Sequence, residues 1–436
     1  MDTNEQRQES QQNRREERHK RRQRSQIIAY TVVGIMILVL AAGIAFAVSK
    51  ITGMNHDRQE QQNRLDDIIA SEETITAPTE PVETVPELTN EQKLDKIIDE
   101  AIIQNMPLED KVAGLFITTP ESITGVSAAV QAGDGTKDAL SKYPVGGIVY
   151  AAKNIQSADQ LKQMIDNTKL YTSYPLFIAI DGEGSGTDAG LGTKTDSPET
   201  IGASGDTNNA YTAGTTVGSY LAELGFNLDF APAADLKVVD GNAAGSSSYG
   251  TDAATVASFV TGMQTGLQEQ KVTAAIGHFP GIGSTTQSTK NGMASTDRSA
   301  EDFRANEFAV FQSCIDSGET KMITVSNMAA PSLTGDNTPC SLSGAVVTDI
   351  LRNELNFRGV IVSGAMNQAA ITNYYGADEA AVLALRAGCD MIYAPENFET
   401  AYNGVLEAVQ NGTISEDRVN DSLRRIYRIK YADKIE

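Results

Sequence analysis

The sequence is poor in cysteine and histidine, with three residues of each in a chain of 436. The cysteines, Cys314, Cys340 and Cys389, are odd in number, widely spaced and without a CxxC pair. This pattern argues against a disulfide framework and against a zinc site, so buried free thiols are expected. Because no other ligand spacing is present, neither a metal nor an organic cofactor is predicted.

Positive charge is also scarce. The chain has 35 Lys and Arg against 57 Asp and Glu, which gives a formal net charge of −22. The first 26 residues hold eight basic and five acidic side chains, a net +3, so the rest of the chain carries −25. Such an acidic chain disfavours nucleic acid as a partner, because the phosphate backbone would repel it.

Long apolar runs are lacking except at residues 27–48, where no charge occurs between Ile27 and Val48. At ~1.5 Å per residue, a helix of this length crosses a hydrocarbon core of ~30 Å. The basic leader, residues 1–26, predicts a cytoplasmic N terminus. A cleaved signal peptide is the alternative, because Ala45-Phe46-Ala47 resembles a cleavage site. We therefore expect a single-pass protein of the cell membrane with an extracellular remainder.

The remainder divides by composition at about residue 90. Residues 49–90 are rich in Gln, Asn, Glu, Thr and Pro, which predicts a flexible stalk. In residues 91–436, short apolar runs alternate with amphipathic segments, as in repeated βα units. Ser157, Ser299 and Ser415 precede such segments as expected helix N-caps. Eight strands are predicted, at residues 112–118, 145–151, 175–181, 225–231, 272–278, 321–327, 359–363 and 389–394.

Eight βα units predict an α/β fold of the (β/α)₈ TIM-barrel type. The alternative is an open doubly wound sheet, whose GxGxxG signature after the first strand is missing here. In a barrel, the loops that follow the strands carry the chemistry. The segments at those positions are Asp181-Gly-Glu-Gly, Asp229-Phe-Ala-Pro-Ala-Ala-Asp235, His278-Phe-Pro-Gly, Ser326-Asn327 and Ser363-Gly364-Ala365-Met366.

These loops, and the blocks around them, resemble the single-domain bacterial β-N-acetylhexosaminidases of glycoside hydrolase family 3. The similarity runs from about Met106 to Lys430 and includes Ile178-Ala-Ile-Asp-Gly-Glu-Gly and Leu355-Asn-Phe-Arg-Gly-Val-Ile-Val. The resemblance implies a TIM barrel with an aspartate nucleophile and a His-Asp acid/base dyad. It also implies sugar-binding residues at the barrel mouth.

The catalytic positions implied by the resemblance are all substituted. Gly364 stands where the family has its nucleophile, and a hydrogen cannot attack an anomeric carbon. Ser288 and Lys290 stand at the two dyad positions. His278 is the only histidine within the predicted barrel, and it matches the family's sugar-contacting histidine rather than the acid/base. No catalytic residue is therefore predicted.

Several binding positions implied by the resemblance are also lost, including the lysine that Gly277 replaces and the sixth-strand histidine that Ser326 replaces. Four candidate ligand-binding residues survive: Asp181, Glu183, Asp235 and His278. A helix cap or loop hydrogen bond is the alternative role for each acid.

Three functions follow as hypotheses. The first is a catalytically inactive homologue that binds an N-acetylglucosamine-containing cell-wall glycan or an envelope protein. The second is an active glycosidase in which Asp181, Glu183 or Asp297 has taken a new role, which requires two carboxyls ~5 to 9.5 Å apart. The third is a scaffold that uses the exterior of the barrel. An open polar mouth favours glycan binding, whereas a filled mouth and an exposed apolar patch favour a partner.

Overall fold

The structure is a computed structural model that describes residues 89–181 and 195–432. All of these residues belong to one compact unit. The predicted leader, membrane segment and stalk fall at residues 1–88 almost entirely, outside the described part, so the predicted domain boundaries stay predictions.

Eight parallel strands form one sheet, in which neighbouring strands follow each other in chain order and the first strand also pairs with the eighth. The two edges of this sheet approach each other, because a parallel bridge joins Val362 of the seventh strand to Met391 beside the eighth. The result is a nearly closed barrel. The strands are β1 (Phe116–Thr118), β2 (Gly147–Tyr150), β3 (Phe177–Ile180), β4 (Leu228–Asp229), β5 (Thr273–Phe279), β6 (Met322–Val325), β7 (Val360–Val362) and β8 (Ile392–Tyr393).

Helices follow the strands around the outside of this barrel, as repeated βα units require. The α-helices are Asn90–Ala101, Leu108–Ala113, Pro120–Thr124, Asp134–Lys142, Ala158–Leu170, Pro198–Ala203, Asn208–Leu224, Ala253–Glu269, Ala300–Ala305, Glu307–Asp316, Pro331–Thr334, Ala369–Thr372, Ala377–Ala387, Phe398–Gln410 and Glu416–Lys430. A π-helix spans Ala345–Glu354, and short 3₁₀ turns lie at Ile103–Asn105, Ala152–Asn154, Gly245–Ser247 and Cys340–Leu342.

The barrel prediction is confirmed, and each observed strand lies within or beside a predicted one. One boundary was wrong: the first strand was expected from residue 112, but Val112 and Ala113 end the helix Leu108–Ala113. An apolar run that finishes a buried helix and enters a buried strand has no periodicity that separates the two. The three predicted caps are present, with Ser157, Ser299 and Ser415 each accepting a hydrogen bond from a backbone N–H three residues on.

The strands are buried on both faces, which explains their runs of branched apolar residues such as Phe-Ile-Ala-Ile in β3. At the seam between β7 and β8, the side chain of Asp390 accepts a hydrogen bond from the backbone of β7. Its Oδ2 accepts from the N–H of Ile361 at 2.9 Å and from Arg352 at 2.7 Å. Burial alone would raise the pKa of Asp390, but Arg352, Arg425 and Arg418 together lower it below its usual value. The seam is therefore held by a buried ionised carboxylate.

The prediction of a cell-membrane location is contradicted. Within residues 89–181 and 195–432, no helix is both long enough and apolar enough to cross a bilayer. The uncharged segment on which that prediction was based, residues 27–48, lies outside the described residues.

Candidate ligand-binding site

A cavity opens at the carboxyl ends of the strands. Its volume is about 160 Å³, and it adjoins a second cavity of about 490 Å³ that shares part of its wall. Together they reach the size of small-molecule sites, roughly 300–1,000 Å³. The shared wall consists of Asp181, Lys290, Ala365, Gln368 and Tyr393. Among the described residues, the mouth of the barrel is a cleft whose walls combine polar and apolar groups.

His278 lies near the end of β5 and forms part of the cavity wall. Its Nδ1 lies 2.8 Å from Oδ2 of Asp235, which is fully buried, whereas the His278 side chain is 36% exposed. Since a carboxylate only accepts hydrogen bonds, Nδ1 of His278 carries a proton. Asp235 therefore fixes the tautomer and orientation of His278.

The other carboxylate oxygen of Asp235 is occupied as well. Its Oδ1 accepts from the backbone N–H of Ile282 at 2.9 Å and from that of His278 at 3.4 Å. These bonds tie the loop after β5 to the loop after β4. Asp235 does not line the cavity, so it acts on a ligand only through His278.

Asp181 follows β3 and lines both cavities. The hydroxyl of Tyr393, from β8, donates to its Oδ2 at 3.2 Å. The Tyr393 ring stacks on Phe230, with centroids 4.4 Å apart. Burial, together with the neighbouring charge of Asp181, raises the pKa of Tyr393 well above its ordinary value. The phenol therefore stays protonated and orients the Asp181 carboxylate.

Gly364, where the sequence resemblance implies a nucleophile, follows β7, and its surroundings leave no room for a side chain. A Cβ built on Gly364 would lie 2.5 Å from Oδ1 and 2.8 Å from Nδ2 of Asn327. Asn327 is 1% exposed and held in place: its Nδ2 donates to the carbonyl of Ala365 at 2.8 Å, and its Oδ1 accepts from Ser341 at 2.6 Å. The amide of Asn327 thus fills the space that a nucleophile would need.

The loop from Thr285 to Lys290 carries the two dyad positions and lines the first cavity. Ser288 and Lys290 are both exposed, and the N–H of Lys290 donates to the Ser288 hydroxyl at 3.3 Å. A backbone bond from the Ala370 N–H to the Thr289 carbonyl, 3.0 Å long, attaches this loop to the one after β7. Neither dyad position offers a carboxylate or an imidazole.

Glu307 lies beneath the turn that carries His278. A Cβ at Gly281, where φ is +124°, would lie 2.8 Å from Cγ of Glu307, so glycine is required there. Glu307 is 1% exposed and pairs with Arg298 at 2.6 Å. Burial raises the pKa of Glu307 to about 7, although Arg298 opposes the shift. This acid supports the loop from below and does not line the cavity.

Of the four predicted ligand-binding residues, the structure brings Asp181 and His278 into the cavity wall and places Asp235 behind His278. Glu183 lies outside the described residues. Sequence reasoning missed the roles of Asn327, Gln368 and Tyr393, which also line the cavity. The only signal was their position: each follows or ends a predicted strand, where barrel sites collect.

Comparison with known proteins agrees with this geometry. Residues 108–429 match the Glycosyl hydrolase family 3 N terminal domain. The chain belongs to glycoside hydrolase family 3. A β-hexosaminidase of Nitrosomonas eutropha is 30% identical over 261 residues, which cover 58% of this chain and 74% of that protein.

Two solved structures extend the likeness of this family 3 barrel. A β-N-acetylglucosaminidase of Paenibacillus sp. superimposes with a TM-score of 0.71 at 30% identity, covering 76% of this chain and 63% of that one. A β-N-acetylhexosaminidase of Beutenbergia cavernae gives a TM-score of 0.66 at 26% identity, covering 75% of this chain and 99% of that one. The chain thus spans less than two thirds of the Paenibacillus protein.

Proposed function

We propose that this family 3 barrel binds an N-acetylglucosamine-containing glycan in its mouth without hydrolysing it. The observation that carries the proposal is the packing at Gly364. Family chemistry needs a carboxylate there, and the Asn327 amide takes up the space instead. Relatives described as β-hexosaminidase and β-N-acetylglucosaminidase support the choice of sugar.

The alternative, a glycosidase with relocated carboxylates, requires two acids facing each other across the scissile bond. Among the described residues that line the two cavities, Asp181 is the only acid. Asp235 is buried with both oxygens engaged, and Asp297 is not part of either wall. Tyr393 cannot serve as a phenolate nucleophile, because its pKa is raised rather than lowered. Glu183, the remaining acid of that alternative, lies outside the described residues, and the facts for the other acids favour binding over turnover.

A glycan is also a better match than an envelope protein. The walls of the first cavity offer a carboxylate, an imidazole, three side-chain amides and several hydroxyls, which suit the hydroxyl groups of a sugar. Only four large apolar side chains are exposed in the described part of the chain: Val126, Leu170, Val239 and Tyr374. A partner-binding face would need a contiguous apolar patch instead.

The proposal is tested by calorimetric titration of the purified protein with N-acetylglucosamine and its β-1,4-linked disaccharide. We expect saturable binding that Asp181→Asn weakens by about tenfold, because hydrogen bonds to a charged group contribute ~1.5–3 kcal/mol. Asp138→Asn is the matched control, since Asp138 is exposed on the helix Asp134–Lys142 and lines neither cavity. Absence of saturable binding, or equal losses in both variants, would contradict the proposal.

A further inference from the structure

Two lysines line the cavities at the barrel mouth, and one of them, Lys290, distinguishes the mouth from a purely neutral sugar site. Lys290 lines both cavities and is exposed. None of the ion pairs within residues 89–181 and 195–432 involves it, whereas Lys153, the second lysine in these walls, pairs with Glu121 at 3.3 Å. The ammonium group of Lys290 is therefore not held in an ion pair within these ranges and can contact a ligand in the cavities.

Gln368 adds directed N–H groups to the same wall. The Nδ2 of Asn327 donates to the Ala365 carbonyl and, at 3.1 Å, to Oε1 of Gln368. Since a carbonyl can only accept, the orientation of Asn327 is fixed, and Gln368 has to turn its oxygen toward Asn327. Its Nε2 group is thereby the donor end of a side chain that lines both cavities.

The two side chains are held near each other by the backbone. The N–H of Ala370 donates to the carbonyl of Thr289 at 3.0 Å. Thr289 directly precedes Lys290, and Ala370 lies two positions after Gln368. The positions beside them that the family fills with carboxylates, 288 and 364, are serine and glycine here. A negative ligand group is therefore not repelled from this side of the mouth by those positions.

We propose that Lys290 and Gln368 together bind a carboxylate, so that the glycan taken by this mouth is an acidic saccharide. The inference rests on the proposed glycan binding and specifies its substrate class. An ammonium group and an amide N–H₂ supply charge-assisted hydrogen bonds to the two carboxylate oxygens. Asp181 and His278 supply accepting groups for sugar hydroxyls in the same cavity.

The test is a calorimetric titration with a disaccharide of N-acetylglucosamine and glucuronic acid, and with the methyl ester of the same compound. The two ligands differ only in charge and one methyl group. We expect the acid to bind at least tenfold more tightly than the ester at low salt, with the preference shrinking as salt rises. Lys290→Gln should reduce the preference to about one, and Gln368→Ala should reduce it in part.

Lys153→Gln is the control, because it removes a lysine of the same cavity whose charge is already paired. It should leave the preference for the acid unchanged. Equal affinity of the wild-type protein for acid and ester, or an undiminished preference in Lys290→Gln, would overturn this inference. The proposed glycan binding would stand if the β-1,4-linked disaccharide of N-acetylglucosamine still binds. If none of these saccharides binds, the proposed function fails as well.

Discussion

Oδ1 of Asn327 lies 2.5 Å from the point where a Cβ of Gly364 would stand. No side chain reaches this distance without displacing one of the two residues. Asn327 is bonded to Ala365, Gln368 and Ser341, so it cannot move without leaving buried polar groups unsatisfied. The glycine is therefore part of the packing between the ends of β6 and β7, and a single substitution at position 364 does not make room for a carboxylate.

Substitution of Gly364 is expected to destabilise the protein. Gly364→Ala should lower the free energy of unfolding by about 1–3 kcal/mol, the usual cost of overpacking, and Gly364→Asp by more. Urea denaturation measures both. Gly344→Ala is the matched control, because no atom lies within 4 Å of its built Cβ. In the double variant with Asn327→Ala, the loss of unfolding free energy should be smaller than the sum of the losses in the two single variants, because the clash is gone. Strict additivity would show that Asn327 does not restrict position 364.

Substitutions in the Asp235–His278 pair should distinguish a residue that stabilises the fold from a residue that contacts the ligand. Asp235→Ala leaves the Ile282 N–H and the His278 Nδ1–H without their acceptor, which should cost about 1–3 kcal/mol of stability. His278→Asn should cost much less, because its amide nitrogen can take the place of Nδ1. Both variants should bind N-acetylglucosamine saccharides more weakly. Thermal unfolding and calorimetry together check this, and a loss of stability in His278→Asn as large as in Asp235→Ala would contradict it.

Glu307 makes stability depend on pH. Its pKa is about 7 in the folded protein, and the ordinary glutamate value of about 4.3 applies when the chain unfolds. A raised folded pKa means that the protonated form favours the fold. The resulting stabilisation is complete below pH 4.3 and is lost as the pH rises through 7. The loss is on the order of 4 kcal/mol at most.

Urea midpoints at pH 5 and pH 8 measure this loss. The difference between the two should shrink in Glu307→Gln and stay unchanged in Glu301→Gln, an exposed glutamate of the preceding helix. Burial lowers the pKa of Lys430 to about 7. That lysine titrates in the wild type and both variants, so comparison between them isolates Glu307. An unaltered difference in Glu307→Gln would contradict the assignment.

Much of the fold could be predicted from the sequence because its determinants are local. Buried parallel strands need short apolar runs, and Ser157, Ser299 and Ser415 cap helices through bonds to nearby N–H groups. The start of β1 was misplaced because the buried end of one helix runs into it. The membrane location, by contrast, was predicted from the apolar run at residues 27–48 and the basic leader before it, and is contradicted among the described helices.

The site could be predicted only in part. The sequence shows that no aspartate stands at position 364, and that His278 and Asp181 follow strands. It does not show that Asn327 fills the vacated space, because that contact joins two strands far apart in the chain. The Tyr393–Asp181 bond likewise spans 212 residues and depends on barrel closure. Asp235 was a candidate ligand-binding residue with a loop hydrogen bond as the alternative role, and its burial against His278 could not be predicted from the sequence.

The central claim, binding without turnover, is tested most directly by incubating the purified protein with 4-nitrophenyl N-acetyl-β-glucosaminide and following nitrophenol release. The β-hexosaminidase of Nitrosomonas eutropha serves as the positive control in the same buffer. The account predicts release at the rate of buffer alone for the wild type and for Asp181→Asn. Release by the wild type that Asp181→Asn abolishes would contradict the account, because it would place catalysis in this barrel mouth.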